Sequence, residues 1–176
     1  MLIPVSVAGL ALDPRTESPI LLLRDDANQR VLPIWIGIAE ATAIAAKVEN
    51  IELPRPMTHD LTQSLVDKLG GRIGRVAITS LRDSTFYASV FVLLGEVESA
   101  IDARPSDAVA LALRANAPIF VDDQVFVDGS SVVVSNAALV TEEEPVVSRD
   151  EAVQQTAAER WSTLLEHMED EDPQHD

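Results

Sequence analysis

Apolar and polar residues alternate over residues 3–12, with Ile3, Val5 and Val7 facing one way and Pro4, Ser6 and Ala8 the other. A period of two belongs to a strand with one buried face. Asp13-Pro14-Arg15 and Ser18-Pro19 then punctuate the chain before an unbroken apolar run from Ile20 to Leu23, which predicts a two-stranded hairpin. Past a polar turn at Asp25 to Gln29, Val31 to Ile36 predicts a third strand that stops at Gly37. There the period changes. Ala39 to Glu49 reads as an alanine-rich helix whose small side chains allow close approach to a sheet. Thr58 to Leu69 reads as a second helix with Leu61, Leu65, Val66 and Leu69 on one face, and Gly70-Gly71-Arg72-Ile73-Gly74-Arg75 as its stop and a turn.

Two further strands, Val76 to Leu81 and Thr85 to Leu93, form a hairpin across Arg82-Asp83-Ser84, and Glu96 to Asp102 adds another. Ser106 to Ala115 is apolar around nearly its whole circumference, as expected of a third helix buried against the sheet. Ala117 to Val121 and Gln124 to Val127 read as short closing strands, with Val132 to Val134 as one more. Strand runs broken by three helices imply an α+β fold: a mixed, mainly antiparallel sheet with the helices packed on it. The domain covers 1–140. An acidic tail, 141–176, holds one helix from Arg149 to Met168 and a disordered end from Glu169. That helix collects Val153, Ala157, Trp161, Leu164, Leu165 and Met168 near one face, suited to packing on the domain, on a second copy or on a protein partner.

Charge changes this picture only by its placement. The net charge is -16, yet the tail contributes -10 and the domain -6. The domain holds nine arginines and two lysines without a basic stripe, which argues against tight sequence-specific DNA binding and for local, planar recognition of phosphate by arginine. Cysteine is absent, which excludes disulfides, thiolate metal sites and a cysteine nucleophile. The N-terminus lacks a basic signal start, and no apolar stretch approaches the roughly 18 residues of a membrane span. The expectation is a cytoplasmic protein without membrane attachment.

The chemistry concentrates in two segments that say nearly the same thing. Arg55-Pro56-Met57-Thr58-His59-Asp60 and Arg104-Pro105-Ser106-Asp107 each run arginine, proline, hydroxyl, acid, and each opens a helix. Proline extends the arginine before it, and Thr58 or Ser106 is placed to cap the helix start. Guanidinium, hydroxyl, free amides and carboxylate are thereby gathered as an anion such as phosphate requires. The plainer reading stands beside it: this is also an ordinary way to begin a helix, with Asp60 and Asp107 complementing the dipole. His59 is the sole imidazole of the domain and its natural general base. Glu40 is a third acid at a helix start, and Asp102 a fourth carboxylate at a strand end, placed to pair with Arg104 or to join a site. If the three helix starts share one rim of the sheet, Glu40, Asp60 and Asp107 converge on a divalent cation. Trp35 and Trp161 read as packing residues, and no phosphate-binding glycine loop, dinucleotide fingerprint, nucleophile elbow or zinc-protease motif occurs.

Four ordered segments, LPIWIGIAEATAIA (32–45), PRPMTHDL (54–61), STFYASV (84–90) and IDARPSDAVALALRANAPIFV (101–121), together resemble the bifunctional nuclease family over about residues 3–127. The resemblance implies an α+β domain that self-associates, with cleavage of both DNA and RNA known for some plant members. The family's signature residues fall on Glu40, Arg55, His59, Asp60, Asp102, Arg104, Ser106, Asp107 and Arg114. The acidic tail does not match the small helical module, associated with excision repair, that some members carry. The resulting expectation is a metal-assisted nuclease acting on DNA and RNA without sequence specificity. In it, Glu40, Asp60 and Asp107, with Asp102 beside them, hold Mg or Mn, and His59 activates water. Arg55 and Arg104 neutralise phosphate charge, while Thr58, Ser106 and Arg114 help to bind substrate. It is expected to be a homo-oligomer, by default a dimer. The rival is a non-catalytic module that binds an anionic ligand, self-associates and recruits a partner through its tail.

Overall fold

Residues 1–129, with the backbone of 132–133, are described by a computed structural model; the predicted tail at 141–176 lies outside them. The first hairpin pairs β1 (Leu2–Leu12) with β2 (Pro19–Asp25), and β3 (Arg30–Trp35) extends it. Its turn closes on Asp25, a fully buried carboxylate that accepts from the amides of Ala27 and Asn28 and from Arg30 Nη2 at 2.8 Å. Those donors hold the Asp25 carboxyl below the usual range although burial alone pushes it up. Helices α1 (Ile38–Val48) and α2 (Thr58–Lys68) follow, then the long hairpin of β4 (Gly71–Arg82) and β5 (Thr85–Leu94), edge strand β6 (Val97–Ala103) and helix α3 (Pro105–Ala115). The chain next lays β7 (Ile119–Asp122) between strands already described and adds α4 (Asp123–Asp128) and β8 (Val132–Val133).

The sheet runs β6-β5-β4-β7-β1-β2-β3-β8. Among the described pairs only β4 with β7 is parallel, so the sheet is mixed and mainly antiparallel, as the sequence predicts. β1 changes partner along its length: Leu2 to Val5 pair with β7, and Ser6 to Leu12 pair with β2 past an irregularity between Val7 and Gly9. One hydrophobic core joins both halves, with Leu21, Leu23, Leu32, Ile78, Val109 and Val121 fully buried. α1 and α3 reach it through small residues. Ala41 to Ala46 are all buried, as are Ala108, Ala110 and Ala112, so the two helices approach closely beside the sheet.

Four expectations are corrected. Gln124 to Val127 is helical, because Asp122 caps it by accepting from Gln124 N at 3.0 Å while Val125 and Phe126 turn into the core. The glycine-rich segment is a turn only at Gly70, where φ is 78°; from Gly71 it is already strand β4, and the irregularity at Gly74 leaves room for Leu93. The apolar face of α2 does not enter the core, since Leu61, Leu65 and Leu69 are 55%, 54% and 77% exposed and only Val66 packs inward. Trp35 is likewise more than half exposed, its indole N–H donating to Asp13 Oδ2 at 3.1 Å and so bracing the β1–β2 turn.

Candidate active site

The two Arg-Pro segments open α2 and α3, and the packing of those helices brings their first turns together. His59, in the first turn of α2, places Nε2 3.0 Å from Asp107 Oδ1 in the first turn of α3. Arg104 grips the same carboxylate, with Nε donating to Asp107 Oδ2 at 2.7 Å and Nη2 to Oδ1 at 3.2 Å. Its Nη1 reaches Glu40 Oε1 of α1 at 2.8 Å. Glu40 folds back over Gly37, where any Cβ would collide with its carboxylate. The starts of α1 and α3 therefore meet at one guanidinium, two-thirds exposed, and the start of α2 joins them through His59, 13% exposed, on the shared Asp107 carboxylate.

Electrostatics fixes the protonation of this cluster. Burial pushes the Asp107 carboxyl up, but hydrogen bonds from Arg104 and His59 and their charge outweigh it, and Asp107 is held below the usual aspartate range. Arg104 is raised in turn by its hydrogen bond to Asp107, by that carboxylate's charge, and further by Glu40. An ionised carboxylate only accepts, so the proton between His59 and Asp107 sits on Nε2. The other nitrogen, Nδ1, is enclosed and has no hydrogen-bond partner. In the neutral ring it is an unshared lone pair.

The second acid–arginine pair has a different environment. Arg114, near the end of α3, donates from Nε to Asp60 Oδ1 at 2.6 Å and from Nη1 to the carbonyls of Ala43 and Ala110, each at 3.1 Å. Nη2 lies 3.9 Å from Met57 Sδ. Its side chain is 5% exposed. Asp60 also accepts from Met57 N at 2.8 Å and so caps α2 itself. Burial raises the Asp60 carboxyl, and the Arg114 hydrogen bond, the Met57 amide and the charges of Arg114 and His59 together bring it below its ordinary value. Arg114 thus ties α1, α2 and α3 together with its donors directed into the protein. Neither hydroxyl caps: Met57 and Arg104 occupy the cap positions, Thr58 is exposed, and Ser106 is buried behind Pro105.

The acids do not gather as a cation site requires. Asp107 and Glu40 are neutralised by Arg104 and Asp60 by Arg114, while Asp102 lies on the exposed edge strand β6 and does not pair with Arg104. Among the described residues no three histidine or acid side chains form a metal-holding group. With arginine on each carboxylate of the cluster, the donor set Glu40, Asp60, Asp102 and Asp107 does not fit Mg or Mn in this arrangement. Beside the cluster an open cleft of about 480 Å³ is walled by the loop from Ile51 to Pro56, with Lys47 and Arg55 on its lining and Asp60 and Arg114 as its inner end. Lys47 and Glu52 are residues that sequence reasoning missed; neither belongs to a motif, and it is the fold that brings them to the lining of the cleft with Arg55.

An imidazole and an exposed guanidinium held on one carboxylate are groups capable of acid–base chemistry and of anion binding. The chain belongs to the bifunctional nuclease domain family, whose model matches residues 21–134. An uncharacterised protein of Mycobacterium tuberculosis is 36% identical over 168 residues, 96% of each chain, so most of the acidic tail lies within that match. Bifunctional nuclease 1 of Oryza sativa subsp. indica is 27% identical over 142 residues, 79% of this chain and 42% of its own. Bifunctional nuclease 2 of Arabidopsis thaliana is 28% identical over 122 residues, 67% of this chain and 37% of its own. The chain therefore spans less than half the length of these plant relatives. No helix among the described residues is long and apolar enough to cross a membrane.

Proposed function

We propose that this protein is a nuclease that hydrolyses phosphodiester bonds in DNA and RNA without reading base sequence, with His59 as general base. The observation that carries this reading is the polarity of the His59–Asp107 pair: Nε2 is committed to an ionised carboxylate at 3.0 Å while Nδ1 is left without a partner. Asp107 fixes the tautomer and the ring orientation, as an aspartate beside a catalytic imidazole does elsewhere. Nδ1 then takes a proton from the water that attacks phosphorus, Asp107 stabilises the imidazolium that forms, and the P–O bond to the leaving sugar oxygen breaks as that oxygen takes a proton from solvent. Water reaches Nδ1 on this reading only when the side chains that enclose it open. Arg104, exposed on the same carboxylate, turns its free N–H groups to the phosphate oxygens as negative charge develops. Nothing in the cluster reads a base edge, which agrees with cleavage of both polymers. Glu40, Asp60 and Asp107, expected to hold Mg or Mn, already pair with arginine.

Purified full-length protein incubated with end-labelled DNA and RNA, in Mg, in Mn and in EDTA, tests this reading beside His59→Ala and Asp107→Asn. Cleavage lost in both variants supports the assignment. Activity that survives both unchanged overturns it and favours a non-catalytic anion-binding module.

A further inference from the structure

The cleft beside the cluster is not used by the chemistry above. Its wall is apolar where Ile51, Leu53 and Pro56 face it, and its lining carries the cations Lys47 and Arg55 and the acid Glu52. At its inner end Asp60 and Arg114 neutralise each other at 2.6 Å. Neither Lys47, Arg55 nor Glu52 has a salt-bridge partner among the described residues. The cleft therefore offers two cations and one carboxylate without salt-bridge partners among the described residues, and an aliphatic wall, in a volume of about 480 Å³. Small-molecule sites run from roughly 300 to 1,000 Å³.

We infer that this cleft is a nucleotide subsite, in which Lys47 and Arg55 hold a phosphate, the wall of Ile51, Leu53 and Pro56 takes the face of a base, and Glu52 accepts from a sugar hydroxyl. The inference rests on the nuclease reading and adds a place for the nucleotide next to the bond that is cut. Asp60 ties the two regions together: it lines the cleft and directly follows His59 in α2, so a strand seated there runs on toward the imidazole. One phosphate gripped by two cations suits a nucleoside monophosphate better than a free sugar or a free base. The apolar wall in turn distinguishes a nucleotide from inorganic phosphate, since only the nucleotide has a ring to bury there.

Calorimetric titration of the full chain with AMP, UMP, adenosine and inorganic phosphate tests this, beside Lys47→Ala, Arg55→Ala, Leu53→Asn and, as a control away from the cleft, Lys68→Ala. The two monophosphates are expected to bind more tightly than adenosine or phosphate, and each cleft cation to Ala substitution to weaken them about tenfold, the usual loss for one charge-assisted contact. Leu53→Asn is expected to weaken the monophosphates while leaving phosphate unchanged, and Lys68→Ala to change nothing. Circular dichroism spectra matching wild type show that the variants are folded. Absence of monophosphate binding, or binding indifferent to both Lys47 and Arg55, overturns the inference. Cleavage assayed on the same samples separates the two readings. A protein that cuts nucleic acid but binds AMP no better in wild type than in Arg55→Ala keeps the nuclease reading and loses the subsite. One that binds AMP through Lys47 and Arg55 without cutting keeps the subsite and loses the nuclease.

Discussion

Arg104 with Asp107 and Arg114 with Asp60 are both arginine–aspartate pairs at the starts and ends of packed helices, yet they do opposite work. Arg104 is two-thirds exposed and leaves part of its fork free, whereas Arg114 is 5% exposed and bonds to a carboxylate and two carbonyls inside the fold. Their surroundings decide the difference. Around Arg114, 5% exposed, little water competes for the guanidinium, so its contacts hold helices together. Around Arg104 solvent does compete, so the pair contributes little to stability and its N–H groups stay available to a ligand. Two arginine–aspartate pairs of the same chemistry thus make one structural tie and one candidate chemical site.

The sharpest way to break that contrast is at the imidazole. His59→Ala, or Asp107→Asn, which no longer favours the reactive tautomer, is expected to lower cleavage by about 10²- to 10⁴-fold while urea unfolding moves little. Equal losses of stability and of rate would make the dyad structural after all. At the other pair, Arg114→Met leaves Asp60 and two carbonyls without their donor. A loss of about 3 kcal/mol in urea unfolding is expected, toward the low end for a broken buried pair because Asp60 is itself 39% exposed. A loss below that of an ordinary surface substitution would remove the tie. Arg104→Gln should show the reverse balance, with a stability change under about 1 kcal/mol and a rate reduced by about 10²-fold.

The smallest effect lies in acid. Asp60 and Asp107 are both held below their ordinary values in the folded chain. Each therefore adds stability that is present above the unfolded aspartate value of about 4 and is lost as pH falls through the lower folded value. Asp60→Asn should accordingly flatten the decline of stability below about pH 4 measured by urea titration, and a decline as steep as wild type would show that Asp60 has no part in it.

Much of this was legible because periodicity reports burial. The alternation at Ile3, Val5 and Val7, the alanine run in α1 and the apolar circumference of α3 each imply one buried surface, and the structure supplies it. The Arg-Pro echo pointed to both helix starts for a local reason, since proline and acid act within one turn. What failed was non-local. Val125 and Phe126 suit a strand as well as a helix, and only the Asp122 cap and the core around Phe126 choose. The convergence of carboxylates on a cation could not be weighed without knowing that Arg104 and Arg114 reach them first. Lys47 and Glu52 carry no signal of their own, because a cleft between two helices and a loop is a property of packing.

β7 lies between β4 and β1 in the sheet, but its four residues, Ile119–Asp122, come after both in the chain. During synthesis two ready hairpins must wait, their inner edges unpaired, until that short strand arrives to join them, and such edges invite association with other chains. Chains halted before Ile119 should thus collect in aggregates, whereas extension through Asp128, which adds β7 and the core residues Val125 and Phe126 of α4, should relieve that aggregation.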